Sequence, residues 1–350
     1  MKKTHLFAPG IIVALLLLSE NLEARAAGCD PIGNVQFICD QVGPEDLAIV
    51  PGSEWVLSSG MAANGAIRLI NLRDKTTTVL FPSATSKERP NKKTYDSCPG
   101  PIGSEGDKFR AHGLYLRPGP NAVHTLFVVH HGGRESIEVF EFDARPKPPT
   151  LTWIGCAVAP DPIGLNSVVG LPDGGFITTN FSSRNGDAAA RARMMAGETN
   201  GEVWEWHTTT GWKKVTGSES AGPNGLEISK DGKWLYIGGW GSQSVIRLSR
   251  GQTPVKKDSV PVGFRVDNLR WAPGGALLAA GQGGTAPSQT SNVVKVDPAT
   301  LKFQELIRHP NIDGFGVTTV AIEIGKELWL GSVRGDRIAI FPLPQSPPSR

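Results

Sequence analysis

Glu45, Asp46, Asn166, Asn224, Asp267 and Asn268 offer carboxylate and amide oxygens at scattered positions of a 350-residue chain, with a histidine, His112, in the same series. Each opens a segment of the same form: one or two polar residues, a short apolar run, a Pro/Gly/Asp turn, then a second apolar run. Oxygens of this kind suit a hard cation. Calcium takes about six to eight of them in flexible geometry, magnesium keeps more of its water, and zinc prefers nitrogen or sulfur. Taken singly, each Asn or Asp could equally bond its own backbone at a turn, most plainly Asn224 in Pro223-Asn224-Gly225. The slot is polar in every copy and acidic in two. That recurrence favours a bound divalent cation, because acids and amides gathered in one small volume are costly without a positive partner.

A repeated hairpin must position these residues. Glu45-Asp46 leads into LAIVPGSEWVLSSG, Asn166 into SVVGLPDGGFITTNF, Asn224 into GLEISKDGKWLYIGGW, and Thr318-Thr319 into VAIEIGKELWLGSV. With the copies at His112 and Asp267 there are six, starting between 43 and 67 residues apart. Alternating apolar residues supply the strands, and PDGG, SKDG and APGG supply the turns. Further strand candidates, such as 201–207 and 291–298, lie between copies, so each copy makes a four-stranded sheet. Sheets at this period predict an all-β chain folded as a six-bladed β-propeller with four-stranded blades. The first strand of each blade then lines the central channel, and the opening residues meet at one end of it. One stretch breaks the pattern: 183–198, rich in Ala, Arg and Met, reads as a short helical insertion in the third blade. It is either a plain surface insertion or a lid over the mouth with Met194 and Met195 as adaptable contacts.

Here the residues meet a family. Gly43-Pro44-Glu45-Asp46-Leu47, Ala111-His112-Gly113, Val129-His130-His131, Leu165-Asn166, Pro223-Asn224-Gly225-Leu226 and Val266-Asp267-Asn268 resemble, in order and approximate spacing, the paraoxonase/arylesterase lactonases. More distantly the chain is similar to the gluconolactonase and senescence-marker (regucalcin-like) propellers. The resemblance implies that Glu45, Asn166, Asn224, Asp267 and Asn268 hold a catalytic calcium. It also implies a second, structural calcium deeper in the channel with Asp46 as a ligand. It makes His112 and His131 a catalytic dyad, His112 activating water and His131 orienting it, work that suits an imidazole. Two departures matter. Ser167 stands where the family has an aspartate, which puts the second calcium in doubt. The family's disulfide between chain ends has no counterpart, since no cysteine follows Cys156, so the sequence leaves open how the propeller closes.

The resemblance thus implies a calcium-dependent hydrolase of lactones or aryl esters, its cation polarising the carbonyl that water attacks. A sugar-lactone hydrolase of the gluconolactonase kind is one alternative, and a non-catalytic propeller whose calcium only stabilises a binding surface is another. No G-x-S-x-G elbow occurs, which argues against a serine hydrolase, and no G-x-G-x-x-G before a helix, which excludes a dinucleotide enzyme. His130 should flank the site, with His124, His207 and His309 on solvated surface.

The N-terminus and composition set the compartment and partners. Lys2 and Lys3, the apolar run Ile11 to Leu18 and Ala24-Arg25-Ala26-Ala27 describe a cleaved signal peptide, 1–27, and a secreted or periplasmic protein. A lipid anchor on Cys29 is the rival, with Glu23 and Arg25 against it. The propeller should span 28–345, followed by a disordered tail at 346–350. An even four cysteines in an exported chain favours disulfides; the sequence-local choice is Cys29–Cys39, leaving Cys98–Cys156. A net charge of +3 with no basic stripe argues against nucleic acid. No second apolar run could span a membrane. A small-molecule substrate and a monomer are the remaining expectations.

Overall fold

The turns do in three dimensions what their composition requires. In a computed structural model describing residues 28–63, 65–102 and 109–344, every repeat is an antiparallel hairpin, and six sheets stand around one axis. The innermost strands are Leu47–Ile49, Arg110–Arg117, Leu165–Gly170, Pro223–Ile228, Arg265–Trp271 and Val320–Ile324. Each touches the innermost strand of both neighbouring blades, closing a ring about the channel. The fold is the six-bladed propeller the repeats predict. The expected signal peptide and the 346–350 tail lie outside the described residues.

Closure needs no disulfide between the ends. Gln36–Ile38 pairs antiparallel with Ile338–Pro342 and becomes the outer strand of the sixth blade, whose other three strands come from the C-terminus. Gly43 N–H donating to Gly335 O at 2.9 Å and Gln41 N–H donating to Asp336 O at 2.8 Å continue the seam. The Cys29–Cys39 disulfide brackets this closing strand, and Cys98–Cys156 ties an excursion to the second blade. Within that excursion Lys87–Glu88 adds a short parallel strand beside Thr150–Val158, so the second blade has five strands rather than four. The excursion also accounts for the 67-residue gap between the first two repeats.

A local irregularity connects fold to site. In blades two to five the pairing of the innermost strand slips just where the opening residue sits: between Ala111 and Leu114, Leu165 and Val168, Pro223 and Leu226, and Val266 and Leu269. A bulge adds a residue and re-aims its side chain. Here the bulges carry His112, Asn166, Asn224 and Asp267. The backbones crowd closely there: a Cβ on Gly113 would lie 2.5 Å from Asn166 O, and one on Gly225 2.3 Å from Asp267 O. Any side chain at either position would push neighbouring blades apart. Inter-blade bonds lock the ring, including Thr319 Oγ1 to Glu45 O at 2.6 Å and Thr179 Oγ1 to Asn224 O at 2.7 Å.

Candidate functional site

The bulges bring His112, Asn166, Asn224 and Asp267, with Glu45 at the head of the first blade, to the wall of one cavity of about 610 Å³ at the end of the channel. Asn268 lies just behind, its Nδ2 donating to Glu45 Oε1 at 2.7 Å. All six are buried. Their hydrogen bonding is incomplete in a patterned way: Glu45 Oε2, Asn166 Oδ1, Asn224 Oδ1 and Asn268 Oδ1 are buried without a partner. An unpaired buried oxygen costs about 1–3 kcal/mol, and native structures hold few of them. Four from four segments at one spot form a converging set of acceptors. Asp267 adds a further strain: burial, then the charges of Glu45 and Asp46, raise its pKa well above the ordinary carboxylate value.

Among the described residues no group of three or more His, Cys, Asp or Glu could by itself hold a metal ion. Two acids and three amides form a mixed, all-oxygen set, which suits a calcium-like ion better than zinc. The residues present therefore fit a cation at this end of the channel.

Asp46 is not part of that group. Its Oδ1 accepts from Leu47 N–H at 2.8 Å, and its Oδ2 accepts from Leu114 N–H at 2.7 Å and from Arg270. Arg270 lies across the axis below the mouth: Nε donates to Leu47 O at 3.1 Å, Nη1 to Leu269 O at 2.7 Å, and Nη2 to Leu114 O at 3.0 Å. Glu227 Oε1 stands 3.7 Å from Nη1. Burial pushes Glu227 up to about 7 against the pull of Arg270, and Asp46 up to about 6. A guanidinium thus takes up the acid and carbonyl that a deeper cation would need. Ser167 accepts from Leu226 N–H with its hydroxyl at 3.2 Å and brings no carboxylate to this level. The residues do not fit a second ion there.

His112 and His131 do form a pair. His112 Nδ1 and His131 Nε2 are 2.8 Å apart, and His131 Nδ1 lies 2.9 Å from Glu135 Oε2. Glu135, absent from the sequence reading, also accepts from Leu165 N–H at 2.6 Å. Arg134 steadies the turn that presents it, donating to Glu138 at 2.8 Å. An ionised carboxylate only accepts, so His131 carries its proton on Nδ1 and takes a hydrogen bond at Nε2. In its neutral form His112 then donates from Nδ1 and has its lone pair at Nε2, 3.6 Å from Glu45 Oε1. Burial works against the charged form of His112, but Glu45, Asp46 and Glu135 together outweigh it and raise its pKa.

The other histidines divide. His130 is buried, stacked on Phe109 with ring centroids 5.3 Å apart and accepting from Arg110 N–H at 3.3 Å, so it flanks the dyad. His124, expected on the surface, is buried: the Pro118–Ala122 turn folds over it, and Gly119 N–H donates to its Nδ1 at 3.1 Å. The third-blade insertion is a helix, Ala188–Met195, with Asp187 accepting from Ala190 N–H at 2.7 Å as its N-cap. Met194 is buried beneath it while Met195 reaches the cavity wall. Gln282, also unforeseen, lines the cavity and lies 3.4 Å from Asp267 Oδ2.

Fold and site together define a six-bladed propeller with an oxygen-rich, histidine-flanked channel mouth. No protein-family model and no curated protein matches the chain. Among solved structures it is similar to a luciferin-regenerating enzyme, with a TM-score of 0.56 and 12% identity over 88% of this chain and 95% of that one. It is also similar to a putative gluconolactonase, at 0.52 and 15% over 90% and 96%. A third is the PQQ-bound aldose sugar dehydrogenase of Streptomyces coelicolor, at 0.54 and 14% over 89% and 98%. At these identities the likeness establishes the shared propeller fold.

Proposed function

We propose that this chain is an exported, calcium-dependent hydrolase of lactones or small aryl esters. The observation that carries the reading is the convergence, at one cavity, of four unpartnered buried oxygens with a three-membered His112–His131–Glu135 chain. Glu45, Asn166, Asn224, Asp267 and Asn268 would hold the ion. When bound, it supplies Lewis-acid polarisation of a carbonyl and stabilises the charge that develops on its oxygen. His112 Nε2 accepts the proton of the attacking water. His131 Nε2 accepts from His112 Nδ1, and Glu135 holds the His131 tautomer that makes this possible. The walls, with Phe181, Trp240 and Met195, offer an apolar surface to the rest of the substrate. A neighbour described as a putative gluconolactonase on the same fold is compatible with lactone chemistry.

Two disulfides suit an oxidising compartment, and among the described residues no helix is long and apolar enough to cross a membrane. The disulfides support export, with a small-molecule substrate and a monomer as the simplest assembly.

The test is hydrolysis of a small lactone panel and of phenyl acetate, with calcium and then with excess chelator. Turnover that chelation abolishes and calcium restores is the expected result. Calcium that raises the melting temperature without any turnover would instead make the chain a binding propeller.

A further inference from the structure

The cavity mouth carries more positive charge than its chemistry needs. Arg191 on the inserted helix, Arg265 at the start of the fifth blade and Arg334 in the sixth all line the cavity that holds Glu45 and Asp267. Among the described residues none of the three guanidiniums lies within 4.0 Å of a carboxylate, although most other arginines of the chain are so paired. Arg265 lies over the Trp240 ring, 4.9 Å from its centroid, and its Nη1 donates one long bond to Gly284 O at 3.5 Å, so the guanidinium keeps most of its donors for a ligand. Arg191 and Arg334 are exposed. With a dication on the floor, Glu45 and Asp267 are neutralised and three guanidiniums are left over. Like charges brought together around one concavity favour an anion there, and a planar fork matches a carboxylate, sulfonate or phosphate better than an ammonium does.

We propose that the ligand of this site is an organic anion. Its apolar body would lie along Phe181, Trp240 and Met195, and its charged group would be received by Arg191, Arg265 and Arg334 at the rim. The proposal rests on the hydrolase reading only for which cavity is meant; it names the class of substrate that cavity selects. Three different elements supply the arginines, so the charge belongs to the mouth rather than to one basic strand or helix.

The experiment is calorimetric titration of the calcium-loaded chain with benzenesulfonate and with benzenesulfonamide, a neutral molecule of similar shape. The same titrations are made on Arg191→Gln/Arg265→Gln/Arg334→Gln, whose calcium content is measured alongside. The expected result is sulfonate binding at least about tenfold tighter than sulfonamide, a preference that weakens with added salt and disappears in the triple variant while its calcium is retained. Equal binding of the two probes, or no sulfonate binding, overturns the proposal. So does a preference that survives in the triple variant, since the metal would then be receiving the anion. Phenyl acetate turnover, followed separately, judges the hydrolase reading: its absence beside an intact sulfonate preference would remove the enzyme and leave the anion site.

Discussion

The two levels of the channel meet one physical problem in opposite ways. At each, carboxylates face the axis out of reach of bulk water. In the deeper level the chain supplies its own cation: Arg270 bonds Asp46 and three backbone carbonyls, and Glu227, pushed up to about 7, carries a proton for much of the time near neutral pH. Charge there nearly cancels. At the mouth Glu45 and Asp267 meet amides whose oxygens point inward unpartnered, and Asp267 is held well above its usual pKa. The lower level leaves one buried oxygen, Glu227 Oε2, without a partner, whereas the mouth leaves four.

The sharpest way to break this contrast is to remove the internal cation. Arg270→Met leaves Asp46 and Glu227 buried without their guanidinium and should destabilise the fold by about 3–5 kcal/mol, read from the urea midpoint. A loss under about 1 kcal/mol would mean that the pair contributes nothing net, as surface pairs often do.

At the mouth the corresponding change should have two signs. Asp267→Asn removes a crowded charge, so the calcium-free protein should keep or gain stability, by up to about 1–2 kcal/mol, while the stabilisation conferred by calcium falls. Melting temperatures with calcium and with chelator separate the two effects. Loss of stability in both conditions would make Asp267 an ordinary structural residue.

The pH dependence follows the same logic. Asp46 and Glu227 are raised to about 6 and about 7, and Asp267 is raised as well, so the folded state binds more protons than the unfolded one above the ordinary carboxylate range. Stability of the calcium-free chain should therefore be greatest below about pH 4 as far as these groups are concerned, and should fall as pH rises to neutrality. A calcium ion held by Asp267 would compete with its proton, so stabilisation by calcium should grow as pH rises. Stabilisation by calcium that is flat with pH would argue against Asp267 as a ligand.

The smallest effect expected is at Glu135. An amide there no longer dictates the His131 tautomer, so Glu135→Gln should lower kcat on phenyl acetate about tenfold with KM little changed, whereas His112→Gln should cost about 100-fold or more. A shift of the pH–rate profile in Glu135→Gln would mark a positioning residue. An unaltered profile with a general loss of folded protein would mark a merely structural one.

Much of this was legible because turns and repeats are local. PDGG, SKDG and APGG announce hairpins wherever they stand, and counting them yields the blades. The mouth residues were legible because they share a slot at the head of each repeat. What escaped is non-local. Gln36–Ile38 is three residues long and finds its partner some 300 positions away, so nothing near it signals the closing strand. Arg270 was visible as a charge two residues past Asn268 in the fifth blade's innermost strand, yet only the fold puts it against Asp46. Glu135 follows His131 by four residues in a turn whose shape the sequence does not reveal, and His124 is buried by a turn that reads as exposed.

The most direct test of the contrast between the two levels is the number of calcium ions retained per chain, measured by elemental analysis after dialysis, for the unaltered protein, Asn224→Ala and Asp46→Asn. The account predicts one ion per chain, lost in Asn224→Ala and kept in folded Asp46→Asn. Two ions per chain, or one that survives Asn224→Ala and leaves with Asp46→Asn, would contradict it.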